Sequence, residues 1–404
     1  MTQVDTPVER LGAEYFADPF SVHARLRAEN PVARVFMPGG APARLITGYA
    51  QARAALTDPR LVKVPKGWRT DKDSNFAAIH MHMLNLDPPD HDRLRRLVSK
   101  AFTARRVEAL RPRITAITAD LLDAMSAQRE VDLLAAFAFP LPITVICELL
   151  GVPVADRHLF RAWSTAIVAD TVAPELFNEN ATAMISYFRD LLAARRREPT
   201  DDLVSALIAA RDEADRLSEN ELLSMMFLLL VGGHETTVNL ICSGTVALLL
   251  NPGELTRLRA DSSLLKSAVE ELLRYVNPVN NATFRLARRS LEIDGVRIDA
   301  GEVVLVSLSG ANLDPSRFDG PDRLDLGRDN TGHLAFGHGI HYCLGAPLAR
   351  MEGEIAFRGL LDRFTSLTLS VPPDELRWRP STLMHGLESL PVRLVPASLS
   401  SQSI

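Results

Sequence analysis

Cys343 stands in the run Phe336-Gly337-His338-Gly339-Ile340-His341-Tyr342-Cys343-Leu344-Gly345, with two glycines before it and one after. A helix-like stretch follows from about Ala346. Glycines allow a tight backbone and a close approach to a flat ligand. A cysteine entering a helix N-terminus has its thiolate stabilised by amide dipoles. Nearby backbone donors would tune the electron donation of that thiolate, which suits a haem iron ligand. The same residue types also fit a buried cysteine beside a Gly-rich turn. Zinc is disfavoured, because no second cysteine lies nearby and tetrahedral structural sites need several N or S ligands.

A second group, Gly232-Gly233-His234-Glu235-Thr236-Thr237, lies inside a long apolar run. A carboxylate there is costly unless it is paired or serves a function. The two glycines weaken a helix and leave room beside it. Thr236 can bond back to a carbonyl about one turn earlier or release that bond to water. Together these features predict a local opening for a small ligand and water; a solvated kink around a satisfied core threonine is the alternative.

The elements that must position these groups are mostly helical. Ser218-Glu219-Asn220-Glu221 is a Ser-x-x-Glu capping box, and the apolar run behind it continues to Leu250 and stops at Asn251-Pro252. Such a helix, apolar on nearly every side, should cross the interior. A helix is expected over Asp92 to Leu110 and another from near Asp261 to Asn277. Leu291-Glu292-Ile293 and Val296-Arg297-Ile298 flank Asp294-Gly295, which reads as a hairpin, and Val303 to Leu308 reads as a further strand. The chain is then irregular around Pro315 to His333. No internal repeat or low-complexity linker is present, so one domain over residues 1–404 is expected, mainly α with a minor β part.

Composition narrows the class. The 404 residues are 47% hydrophobic and 24% charged, an ordinary globular balance. A net charge of −5 gives no global case for nucleic acid. Met1 to Asp5 lacks a basic and an apolar signal region, and no apolar run reaches the ~18 residues of a membrane span. Cys147, Cys242 and Cys343 are too few and scattered for a disulfide framework, so a reducing cytoplasm and no membrane are expected. Cys242 reads as a small core residue.

The cysteine segment as a whole resembles the haem-binding signature Phe-x-x-Gly-x-x-x-Cys-x-Gly of the cytochrome P-450 superfamily. Phe336, Gly339, Cys343 and Gly345 fit it without a gap, and the likeness extends from about Tyr15 to Val395. The resemblance implies a haem between the long central helix and the cysteine loop with its helix. The cofactor would be haem b (iron protoporphyrin IX), with Cys343 on the iron and Phe336, Gly337 and Gly345 around it. Gly232 to Thr236 matches the family's oxygen-binding groove Gly-Gly-x-Glu-Thr, so Glu235 and Thr236 are implied as its proton relay. His234 is left as a packing or hydrogen-bonding residue.

Two haem propionates need cationic or hydrogen-bonding partners. By the resemblance these are His91, Arg95, Arg285 and His341; His91 and Arg95, four apart, share one helix face. Glu271-Leu272-Leu273-Arg274 resembles the family's Glu-x-x-Arg motif, which locks the cysteine loop with an arginine from a later segment. Here that segment reads Pro321-Asp322-Arg323-Leu324-Asp325, with Leu324 in place of the usual Phe, so Arg323 is the expected third member.

From His91 to Arg113 eight Lys/Arg face two acids, a local balance of +6 on an acidic protein. A solvated helix face is the plain reading, and interleaved aromatics for nucleic acid are lacking. In the family this region docks an acidic electron carrier, so the resemblance implies a separate ferredoxin and ferredoxin reductase. It also implies a monomer and a monooxygenase that hydroxylates or epoxidises a large, mostly apolar small molecule with O2.

Candidate pocket segments by the same likeness are 78–83, 167–172, 229–233, 279–284 and 383–387, with Asn280, Asn281, Thr283 and His385 as polar exceptions. His91 to Val98 and Glu270 to Tyr275 look like actinobacterial members that tailor macrolides and other polyketides; steroids and secosteroids are the alternative substrates. Peroxide-driven oxidation, oxidative coupling and a non-catalytic haem sensor are the alternative functions. Intact Glu235-Thr236 argues against the first two, and the absence of a signalling module against the third.

Overall fold

A computed structural model of the chain describes residues 8–64, 75–160, 163, 174–212 and 215–397. Seven helices matter for the site: α1 (Asp90–Ala101), α2 (Ala104–Ala109), α3 (Arg111–Ser126), α4 (Pro140–Leu149), α5 (Glu219–Leu250), α6 (Leu265–Val276) and α7 (Ala346–Arg363).

The expected capping box starts α5. The Ser218 hydroxyl accepts from Glu221 N–H, and the Glu221 carboxylate accepts from Ser218 N–H. Such a cap contributes about 1 kcal/mol. The helix then runs unbroken for 32 residues, most of them buried. By length and composition it could cross a membrane; instead α4, α6 and α7 pack along it. Cys242 and Cys147 are free and buried in the core around it.

The single helix expected over 92–110 is two helices. The Thr103 side chain accepts from Arg106 N–H and starts α2 afresh after Phe102, because a hydroxyl before a helical run satisfies one of its free donors. The helix expected from Asp261 begins as one 3-10 turn, Ser262–Leu264, before α6.

A six-stranded sheet stands beside the helices in the order Glu9–Arg10, Val32–Phe36, Pro42–Ile46, Val303–Val306, Arg285–Ala287, Leu61–Val62. Val303–Val306 is one residue pair shorter than the expected strand, because Ser307 turns to cap a short helix through Gly310 N–H. Its register sets Val304 opposite Arg285, and Leu61–Val62 pairs on the other side with Val62 opposite Leu286. The hairpin forms as expected, with Asp294 and Gly295 both at positive φ, the turn that matches strand twist. A three-stranded sheet of Phe364–Leu369, Pro391–Pro396 and Glu130–Asp132 closes the far side.

Candidate active site

The cysteine loop is built by its own backbone. Cys343 N–H donates to Phe336 O at 2.9 Å, and Gly337 and Gly339 take φ of 73° and 76°. A Cβ on Gly339 would lie 3.1 Å from Leu56 O, so both conformation and space require glycine there. Burial pushes the Cys343 thiol up, while N–H donors of Gly345 and Ala346 and the charges of Arg95 and Arg350 pull it back. A bound cation would complete the deprotonation that those donors favour. Beneath the loop, the Arg350 guanidinium lies 4.4 Å over the Phe336 ring and makes a bidentate pair with Glu270 at 2.6 and 2.9 Å.

Cys343, Phe336 and Gly345 line one side of a cavity whose opposite wall includes Gly232, Thr236 and Thr237 of α5. The two glycines of α5 do different work. A side chain on Gly232 would meet nothing closer than Leu228 Cδ1 at 4.0 Å, whereas one on Gly233 would come within 3.0 Å of Ile146 of α4. Gly232 therefore opens the cavity and Gly233 permits helix packing. The Thr236 hydroxyl donates to Gly232 O at 3.0 Å, the back-bond expected from its position.

Glu235 is not among the cavity-lining residues. It is 2% exposed and engages Arg379 Nη1 at 2.9 Å and His234 Nε2 at 3.3 Å. Burial would raise its carboxyl, but the hydrogen bonds and charges of His234 and Arg379 outweigh this and hold it down to about 2. His234 also bonds Leu230 O at 2.7 Å and packs edge-on against Phe139.

The four expected carboxylate partners converge at one edge of the cavity. His91 is buried, 4.6 Å edge-on from the His341 ring, and its Nδ1 meets Asp92 at 2.7 Å. Arg95 Nη2 donates to Tyr342 O at 2.8 Å, and Arg95, Arg285 and His341 line the cavity. His91 Nε2 and Arg285 Nη1 are buried without a hydrogen-bond partner. Burial first, then Lys63, His91, Arg285 and Arg95, lower His341 to about 2. Buried donors are normally satisfied, and the guanidinium groups of Arg95 and Arg285 at this edge call for an anion. A thiol beneath a cavity and orphaned donors at its rim fit a haem with its two carboxylates.

The Glu-x-x-Arg pair lies behind the loop. Glu271 and Arg274 are both 0% exposed and bidentate at 2.8 and 2.8 Å. Arg274 Nη1 also donates to Asn312 O and Pro321 O, and Asp325 N–H donates to Glu271 Oε1. The third side chain is Arg328, whose Nε lies 3.2 Å from Glu271 Oε1, and not the expected Arg323. The Arg323 side chain is 69% exposed and pairs with Asp325; it offers the network its carbonyl. The reason is the turn at Asp325, whose carboxylate accepts from Gly327 N–H and folds Arg328 back toward Glu271.

Three of the expected polar pocket residues are elsewhere. Asn280 and Asn281 donate to the Tyr15 hydroxyl at 2.9 and 2.6 Å. His385 stacks on Trp378 at 3.9 Å. Thr283 does line the cavity, with Met83, Val279, Leu383 and Met384; residues 167–172 lie outside the described residues. Sequence reasoning missed Lys63, Arg328 and Arg379. Lys63 carried a signal, a lone charge in Leu61-Val62-Lys63-Val64; Arg379 carried none.

Comparison with known proteins agrees with this geometry. The family model for cytochrome P450 matches residues 157–388. The chain is 51% identical to cytochrome P450 107B1 of Saccharopolyspora erythraea, over 93% of this chain and 95% of that protein. It is 48% identical to the cytochrome P450 monooxygenase PikC of Streptomyces venezuelae, over 97% and 95%. The solved structure of the tirandamycin C-bound P450 monooxygenase TamI superposes with a TM-score of 0.89 at 51% identity, covering 96% of this chain and 100% of that one. With Cys343 and the long helix lining one cavity and the buried His91 Nε2 and Arg285 Nη1 unpartnered near its edge, the chain belongs to the cytochrome P450 family of haem-dependent oxygenases.

Proposed function

We propose that the chain holds haem b and hydroxylates or epoxidises a large, mostly apolar, polyketide-like molecule with O2. The observation that carries this reading is that Cys343 and Thr236 face one cavity whose other described lining is chiefly aliphatic. Haem, when bound, supplies the dioxygen and redox chemistry, and the protein supplies position and protons. Cys343 is assigned to the iron, with Phe336, Gly337 and Gly345 shaping the surface beneath it. His91, Arg95, Arg285 and His341 are assigned to the two carboxylates.

Thr236 is assigned to the proton path. Its O–H now donates to Gly232 O, and turning that bond toward the cavity would present a donor beside Gly232. Glu235 stands one residue away as a carboxylate held by Arg379, and the proton it passes must enter while that pair is loosened. The polyketide class rests on likeness to the polyketide biosynthesis cytochrome P450 PksS of Bacillus subtilis, 43% identical over 95% of this chain and 97% of that protein.

The test is turnover with a ferredoxin, its reductase and NAD(P)H, using a macrolactone that shifts the haem spectrum. One oxygen atom should appear in the product for each pair of electrons. Spectral binding with no reductant use would favour a sensor instead. Thr236→Ala should keep ligand binding and reductant consumption yet lose product about 10²-fold, releasing peroxide, because one positioned proton donor contributes on that scale. Equal coupling of reductant to product in both proteins would remove Thr236 from the path.

Electrons are proposed to come from a separate ferredoxin and ferredoxin reductase, to a monomeric enzyme in the cytoplasm. The +6 run is partly spent internally: Arg93 pairs with Glu221, Arg111 with Glu108 and Arg113 with Glu148. Arg105 is exposed on α2, and Arg106 sits 3.7 Å from exposed Asp201. Reversing Arg105 and Arg106 to Glu should slow ferredoxin-supported turnover about tenfold at low salt and flatten its salt dependence. Peroxide-supported turnover should be unchanged; an equal fall in both would make the patch structural.

A further inference from the structure

We infer that His234 carries the proton that frees Glu235 from Arg379, supplying the Glu235 and Thr236 path from a buried imidazolium beside it. This rests on the reading of Glu235 and Thr236 as the proton path. The observation is the tautomer that the ring must adopt. His234 is 0% exposed, and its Nδ1 lies 2.7 Å from Leu230 O, one turn earlier in α5. A carbonyl oxygen only accepts, so Nδ1 carries a hydrogen. Nε2 lies 3.3 Å from Glu235 Oε1. A neutral ring with its hydrogen on Nδ1 would turn a bare lone pair toward a carboxylate oxygen, and two acceptors repel. A bond there needs a second ring hydrogen, so the pair carries one proton more than a neutral imidazole and a carboxylate.

The other carboxylate oxygen decides where that proton rests. Arg379 Nη1 donates to Glu235 Oε2 at 2.9 Å, and Arg379 Nη2 donates to Asn239 Oδ1 at 2.9 Å. Asn239 Nδ2 in turn donates to Pro278 O at 3.3 Å, which leaves the amide oxygen for the arginine. The guanidinium is thus fixed by two acceptors and favours Glu235 as an anion. Burial alone would raise the Glu235 carboxyl, yet His234 and Arg379 hold it at about 2. At rest the shared proton therefore sits on Nε2. Each carboxylate oxygen then has its own charged donor, one from α5 itself and one from the segment that carries Arg379.

Moving that proton changes what holds Glu235. The Nε2–H bond breaks, the Oε1–H bond forms, and the electron pair stays on nitrogen. The ring becomes neutral and Glu235 becomes an acid. Its bond to Arg379 loses the charge assistance that makes such bonds roughly twice as strong as neutral ones. Glu235 does not line the cavity, whereas its helix neighbour Thr236 does. The loosened acid can turn toward Thr236 and give up the proton there, returning as a carboxylate. Water restores the proton to His234, and Arg379, with its side chain 25% exposed, is where the group meets solvent.

The test uses the holoenzyme with reduced, CO-bound haem, which is diamagnetic, and histidine enriched in the heavy nitrogen isotope. At neutral pH both ring nitrogens of His234 should resonate as protonated nitrogens. The signals are assigned by their loss in His234→Gln, or by their displacement in Glu235→Gln should the first variant fold poorly. A ring with one bare nitrogen overturns the inference. The second readout is coupling. A glutamine side chain can still donate to Glu235 but holds no transferable proton. His234→Gln should therefore lower product per reductant consumed about tenfold, release the balance as peroxide and enlarge the solvent deuterium effect on product formation. Ligand affinity should be unchanged, since His234 does not line the cavity. A merely structural role predicts wild-type coupling in His234→Gln, and that result also overturns the inference. Intact coupling in Thr236→Ala would instead overturn the proton path beneath it.

Discussion

Cys343→Ala will abolish the red-shifted Soret band of the reduced, CO-treated protein and leave no measurable monooxygenase turnover. The sulfur at 343 is the one cysteine that lines the cavity among the described residues. Cys147 and Cys242 are fully buried in the helical core, and burial pushes Cys147 up to about 12 and Cys242 higher still. Neither can be recruited as a thiolate without dismantling that core. The N–H groups of Gly345 and Ala346 are aimed at this sulfur, and an imidazole or phenol from elsewhere in the loop would not give the red-shifted band of thiolate ligation. The measurement is the reduced CO difference spectrum of wild type and variant at equal protein concentration. A variant that keeps the wild-type band would remove Cys343 from the iron, and with it the proposed function. Thermal unfolding should change little, because the small side chain leaves Phe336 O free for the residue-343 N–H bond that closes the loop.

Arg274→Met should destabilise the protein by about 3–5 kcal/mol, the cost of leaving a buried carboxylate without its partner. Against a typical total stability of about 5–15 kcal/mol this is a large fraction. The variant strips two charge-assisted bonds from Glu271 and two carbonyl acceptors, Asn312 O and Pro321 O, of their donor. Arg328 and the Asp325 N–H then remain as partners of Glu271. Because the same network anchors residues 321–328, which lead into the cysteine loop, haem loss should quicken alongside the fall in stability. Arg323→Ala supplies the contrast. An exposed side chain paired with a partly exposed Asp325 should cost no more than about 0.5 kcal/mol, whereas Arg328→Ala should be clearly destabilising. Urea titration of the three variants decides it. Equal effects of Arg323→Ala and Arg328→Ala would restore Arg323 to the network.

Much of the architecture was legible from short-range pattern. The capping box at Ser218 and the apolar run to Leu250 specify α5, because helical bonds span four residues and the cap three. Asp294-Gly295 specifies its hairpin, since both residues tolerate positive φ. The break that divides the basic stretch into α1 and α2 was not legible, because Thr103 reads as an ordinary residue of a charged helix until its side chain turns back to accept from Arg106 N–H. The loop around Cys343 was legible for the same local reason. Two glycines at positive φ and a helix start lie within ten residues, so the thiol and its donors are neighbours in the chain before they are neighbours in space.

The sequence by itself determined the thiol, the long helix, the threonine that faces the cavity, and the residue types that crowd the carboxylate edge. Tertiary structure alone decided which partners those groups take. Glu271 is closed by Arg328 because a turn folds it back, and Glu235 is held by Arg379, a residue 144 positions away. Asn280 and Asn281 leave the cavity for the Tyr15 hydroxyl, and Lys63 arrives beside Arg285 through strand pairing. The physical reason is common to all of these. A buried polar group must find a partner wherever packing brings one, and the pattern along a chain records periodicity and turns but carries no distance between residues that only the folded core brings together.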